Sequence, residues 1–97
     1  MRVELFAEAR ADLMEAWQFY EKQSAGLGTK FLDSIFADID TLPNCAGIHR
    51  VVNGSHRHLA TKFPFAIYYR IENRVIRVRA VLDCRRDPHW IKGRLTR

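Results

Sequence analysis

The feature that most constrains this chain is a change of hydrophobic period near its midpoint. Ala9, Leu13, Ala16, Trp17 and Tyr20 recur at helical spacing, as do Phe31, Ile35, Ile39 and Leu42. After about residue 55 the period becomes two: Ile76, Val78, Ala80 and Leu82 alternate with Val75, Arg77, Arg79 and Val81. A chain written this way buries helical stripes against one face of a sheet, which is an α+β arrangement of two layers.

Punctuation sets the element bounds. Residues 2–6 alternate and read as a short strand. The first helix stops at Ser24-Ala25-Gly26-Leu27-Gly28, with Gly26 suited to a left-handed cap. In the second, Leu32 and Phe36 widen the apolar stripe, Asp33, Asp38 and Asp40 face water, and Pro43 ends the helix. So short a connection makes the two helices an antiparallel hairpin, with Trp17, Tyr20, Phe31 and Phe36 in the core. Residues 44–54 are irregular, and Val51-Val52-Asn53-Gly54 reads either as a small hairpin edge or as loop. Strands follow at 56–62, 65–71 and 75–83, and Glu72-Asn73-Arg74 joins the last two as a hairpin. The face with Ile76, Val78, Ala80 and Leu82 packs on the helices; Arg77 and Arg79 lie on the more open face. Asp87-Pro88 starts a helix of about one turn before Gly93. The expected fold is α+β: an N-terminal strand and an antiparallel helix hairpin on an antiparallel sheet of three to four strands, with a short C-terminal helical tail. The N-terminal strand joins the sheet beside a later strand. Residues 1–97 form a single domain.

Composition excludes several classes. Hydrophobic residues make up 47% and charged residues 28%, which is too apolar for disorder. The longest apolar run, Phe63–Tyr69, is broken by Pro64 and is too short to span a membrane. The N-terminus has no signal-peptide core, and two cysteines outside any C-x-x-C, Cys45 and Cys84, fit free thiols in a reducing cytoplasm.

Charge is divided between the halves. Residues 1–48 carry four basic and eight acidic side chains, a net of −4; residues 49–97 carry twelve and three, a net of +9. The C-terminal half therefore offers a basic face suited to phosphates or to an acidic protein, or else a solvated sheet decorated with arginine.

The residues present bear on three chemistries. Cys45-x3-His49, His56-x-His58 and Cys84-x4-His89 lack the paired spacing of a structural zinc site, so no metal and no other cofactor is expected. No serine sits in a nucleophile turn, and no His–Asp pair is spaced to activate Cys84. There is no phosphate-binding glycine loop, but Arg57, Arg77, Arg79, Arg85 and Arg86 are a guanidinium cluster. Guanidiniums bind phosphate yet stay protonated, so a ribonuclease would need His58 or His89 as base. A docking surface for an acidic partner is the plainer reading.

Arg57-His58-Leu59, Lys62 through Ile71, Val78 to Leu82, and Arg86-Asp87-Pro88 with Trp90 and Arg94 closely resemble the RelE/ParE superfamily of toxins from bacterial type II toxin–antitoxin systems. Ala9, Asp12, Leu13, Tyr20, Glu21, Gly28, Phe31 and Leu32 resemble that superfamily's helix hairpin. The phrase Phe63–Ile71 and the Arg-Asp-Pro tail resemble the ParE branch more than the RelE branch. No tyrosine follows Tyr69, and Asp83 stands where a histidine is usual. The resemblance implies a cytoplasmic toxin that inhibits DNA gyrase, is neutralised by a cognate antitoxin, and reaches operator DNA only through that antitoxin, with no membrane role. Target or partner contacts fall to Arg57, Arg77, Arg79, Arg85, Arg86, Trp90 and Arg94. The alternatives are a RelE-like ribosome-dependent mRNA endonuclease, with His58, Arg79, Arg85 and His89 as catalytic candidates, or a non-toxic binding module of the same fold.

Overall fold

The computed structural model describes residues 1–97. In chain order the elements are β1 (Arg2–Leu5), α1 (Ala7–Gln23), α2 (Leu27–Cys45), β2 (Val51–Val52), β3 (Ser55–Leu59), β4 (Phe65–Glu72), β5 (Val75–Asp83) and α3 (Pro88–Leu95). The strands make one sheet in the order β1-β5-β4-β3-β2.

The α+β class and the element order agree with the sequence reading, and several details of it change. The sheet has five strands, because Val51–Val52 pairs with β3 as a hairpin edge. It is mixed, because β1 lies parallel to β5, Val3 opposite Ile76. The α1–α2 hairpin between β1 and the rest of the sheet is what permits that parallel pairing. The tail helix runs through Gly93 to Leu95, since a glycine within a helix costs only about 1 kcal/mol and Leu95 gains a buried seat.

The helix hairpin is fixed by contacts its sequence encodes. Gly26 takes φ +86° at the N-cap of α2 and offers no side chain to cap it. Glu21 of α1 does so instead, accepting from the Gly26 and Gly28 amides at 2.9 and 3.0 Å. A carboxylate here also suits the positive end of the α2 dipole. Pro43 does not end α2, which continues to Cys45. Proline removes only its own N–H, and the Ala46 amide still reaches Leu42 O at 2.7 Å.

The main core lies between hairpin and sheet. Ala9, Leu13, Tyr20, Phe31, Ile35 and Leu42 meet Phe65, Ile67, Tyr69, Ile76, Val78 and Val81. Trp17 is only half-buried, and Phe36 is exposed. Asp38 does not face water. It is buried and accepts hydrogen bonds from the Thr61 amide and hydroxyl, which ties the β3–β4 loop to α2.

The faces of β5 also differ from simple alternation. Tyr69 opposes Val78 while Tyr68 opposes Ala80, so Arg79 is an extra residue, a β-bulge. Beyond it the phase inverts. Val81 joins the core beneath the helices, and Ala80 and Leu82 turn to the outer face. There Ala66, Tyr68, Ala80 and Leu82 form a second, smaller cluster closed by Leu95 of α3.

Candidate partner-binding surface

The outer face of the sheet collects the arginines. Arg57 on β3 stands opposite Tyr68, and Arg70 on β4 opposite Arg77 on β5. Like charges in register repel, and carboxylates relieve this pair: Arg77 meets Glu4 at 2.7 Å and Glu72 at 3.3 Å. Arg70 donates to the Gly54 carbonyl at 3.0 Å. Arg79, lifted by the bulge, donates to the Leu95 carbonyl at 3.1 Å and to the main-chain oxygen of Arg97 at 3.4 Å, and so holds the tail across this face. Burial, and then the charge of Arg70, push its pKa below the ordinary arginine value. Arg57 reaches the Cys84 sulfur at 3.7 Å. Burial opposes its charge, but the Tyr68 hydroxyl and the Cys84 thiol beside it leave its pKa above the ordinary value. No Asp or Glu side chain pairs with Arg57, Arg70 or Arg79.

The remaining candidates surround α3. Arg85 clasps Asp83 (Nη2–Oδ2 2.7 Å, Nε–Oδ1 3.0 Å), and that hydrogen bonding lowers the Asp83 pKa. Arg86 lies over the Trp90 ring at 3.8 Å and touches Glu15 at 3.2 Å. Cation–π stacking of this kind presets the indole, which remains exposed. Arg94 is different. Only 11% of its side chain is accessible, and both Nη atoms meet Asp12 at 2.8 Å. It is a structural clamp before it is a contact residue.

The four nuclease candidates do not converge. His58 opposes Ile67 and so points to the helix side, whereas Arg79 reaches over the outer face. Arg85 is paired with Asp83, and His89 stands exposed in the first turn of α3, its amide bonded to the Asp87 cap. Of the candidate metal pairs, His56 and His58 do share a strand face, but no group of three His, Cys, Asp or Glu is placed to hold a metal ion. Both cysteines are free thiols.

A second surface was not legible in the sequence. β1 is an edge strand, and beside it an apolar groove opens between Val3 and Leu5, Leu13 and Met14 of α1, and Leu32 and Phe36 of α2. Met14 is 54% exposed and Phe36 42%, high for large apolar side chains lying together. The signal was present in Met14 and Phe36, which sit at the margin of their helical stripes, but it needed β1 placed beside them.

The architecture is thus a helix hairpin on a mixed five-stranded sheet, with an arginine-rich outer face crossed by a short tail helix. No protein-family model matches the chain, and no curated protein sequence does. Among solved structures it is similar in fold to a chain of the chromosomal ParDE TA system from P. aeruginosa. That match has a TM-score of 0.77 at 21% identity and covers 84% of this chain and 92% of the other. No helix is long and apolar enough to cross a membrane.

Proposed function

We propose that the 97-residue unit is the toxin of a type II toxin–antitoxin pair, of ParE type, which inhibits DNA gyrase and is silenced by a cognate antitoxin. The observation that carries the reading is the fold match to a chain of a ParDE system over most of both lengths. The Phe63–Ile71 phrase and the Arg86-Asp87-Pro88 tail support the same branch.

The antitoxin would supply an amphipathic segment. Its apolar side chains suit the groove between β1 and the helix hairpin, and its backbone can add to the free edge of β1. Acidic side chains would meet Arg57 and Arg70, which lack carboxylate partners. The target would be met by Trp90, Arg85, Arg86 and the other outer-face arginines. Ribosome-dependent message cleavage is less supported: of its two candidate bases, His58 lies on the other side of the sheet from Arg79 and His89 stands exposed at the start of α3, while the candidate Arg85 is held by Asp83.

Induction of the chain alone, and with the neighbouring open reading frame, tests the pairing. Growth arrest relieved by co-expression, with the two products co-purifying, is the expected result. Unimpaired growth on induction of soluble protein would overturn it.

A further inference from the structure

One side-chain cluster lies apart from both surfaces. The segment after α2 folds back onto the inner face of the sheet at β3 and β4. The Gly47 amide donates to the Tyr69 hydroxyl at 3.0 Å, and Tyr69 is fully buried. His49 Nδ1 bonds the same hydroxyl. Because the oxygen already accepts from Gly47, the hydroxyl hydrogen is free to donate to His49 Nδ1, which requires that nitrogen to be unprotonated. His56 Nδ1 bonds the His49 carbonyl at 2.7 Å; a carbonyl only accepts, so this nitrogen carries hydrogen. The His56 ring stacks on Tyr69 at 5.0 Å, and the His49 and His58 rings lie 4.3 Å apart. His58 Nε2 is buried with no hydrogen-bond partner.

The groups facing His49 are His56 and His58 from β3, Tyr69 from β4 and, beyond Tyr69, Cys45 from the end of α2. None is a carboxylate. The buried carboxylate of α2, Asp38, is engaged by Thr61. A proton added to His49 would therefore turn Nδ1 into a second donor at the Tyr69 oxygen. The hydroxyl hydrogen would be left without an acceptor, and a cation would stand against two imidazoles.

We propose that His49, His56, His58 and Tyr69 form a proton-operated latch, whose protonation at His49 releases residues 46–54 from the sheet while the helix hairpin and β4–β5 stay folded. The other holds on the segment are few: Ala46 packs on the core, the Arg57 amide bonds the Arg50 carbonyl at 2.8 Å, and Arg70 bonds the Gly54 carbonyl at 3.0 Å. Ile48 is 77% exposed and Val51 57%, and β2 contributes only the pairs Val51–His56 and Val52–Ser55. Its release uncovers the outer edge of β3, a template for another strand. Burial, then the neighbouring His58 and His56, lower the His49 pKa, which agrees in sign. A histidine so depressed binds its proton more readily when released. The latch is thus fully closed above the ordinary histidine pKa of about 6.5 and weakens as pH falls below it. The inference does not depend on the toxin reading.

Amide hydrogen exchange by NMR between pH 7.5 and 5.5, corrected for intrinsic exchange, tests it in the full chain. The Gly47 amide and the Arg57 amide, which bonds the Arg50 carbonyl, should open up to about tenfold more per pH unit, while β4–β5 amides hold their protection. His49→Gln, which can accept from Tyr69 but does not titrate, should abolish the pH dependence. Equal protection at both pH values, or an undiminished dependence in H49Q, overturns the latch. Should H49Q be open at pH 7.5, the wild-type imidazole titration decides. A His49 midpoint coincident with segment opening supports the latch, and a separate one overturns it.

Discussion

Arg94 and Asp12, 82 positions apart in sequence, meet through two parallel 2.8 Å hydrogen bonds with 11% of each side chain accessible. The same Asp12 carboxylate also accepts from the Val81 amide at 3.1 Å. That amide lies past the end of β1, where β5 has no strand beside it, so one side chain closes an open sheet edge and anchors the tail helix. Arg94→Ala would leave this carboxylate half-satisfied and poorly hydrated. The expected loss is about 2–4 kcal/mol, or a fall in Tm of at least about 10 °C, by thermal unfolding. Arg94→Lys should recover little, because an ammonium cannot match both oxygens.

Two glycines should respond oppositely to alanine. A Cβ at Gly28 would stand 2.7 Å from the Trp17 carbonyl oxygen and 2.8 Å from its ring, where backbone blocks relief. Gly28→Ala should destabilise by about 1–3 kcal/mol despite its higher helix propensity. At Gly93 a Cβ meets nothing within 4 Å, so Gly93→Ala should stabilise by about 0.5–1 kcal/mol. Urea denaturation of the two variants reads both signs.

Asp83 should titrate below the ordinary aspartate range, because Arg85 bonds its charged form through side chain and backbone. A carboxylate with a lowered pKa adds stability above its unfolded value, near 3.9, and loses it as pH falls through the folded value. NMR titration should show the Asp83 midpoint rising in Arg85→Ala. The change in stability at pH 7 should be small, since Arg85 is 63% exposed.

Arg79→Ala should loosen the end of the tail more than the sheet. The guanidinium holds the main-chain oxygens of Leu95 and Arg97, whereas the ladder around the bulge is backbone. Faster amide exchange in residues 94–97, with β4–β5 protection kept, is the expected outcome.

The element order was legible because the periods 3.6 and 2 leave separate marks, and Gly26 and Asp87-Pro88 are local signals. The face assignment of Ala80, Val81 and Leu82 was not, because a bulge at Arg79 is visible only against β4. Asp38 reads as one more solvent-facing acid until Thr61, on a loop 23 residues away, is set beside it. The same holds for Arg94: its charge was plain, but its partner on α1 was not, so a buried clamp reads as a contact residue. The His56–His58 pairing on one face was readable from strand spacing. The arrival of His49 beside His58 and Tyr69 depended on an irregular segment that no period describes.

The most direct test of the gyrase reading is the topological state of a reporter plasmid after brief induction of the chain, with ribosome-bound message followed in parallel. Loss of negative supercoiling or trapped cleaved DNA, with message intact and the effect reproduced by purified protein on gyrase in vitro, is the predicted result. Normal supercoiling alongside arrested growth and cut message would contradict it.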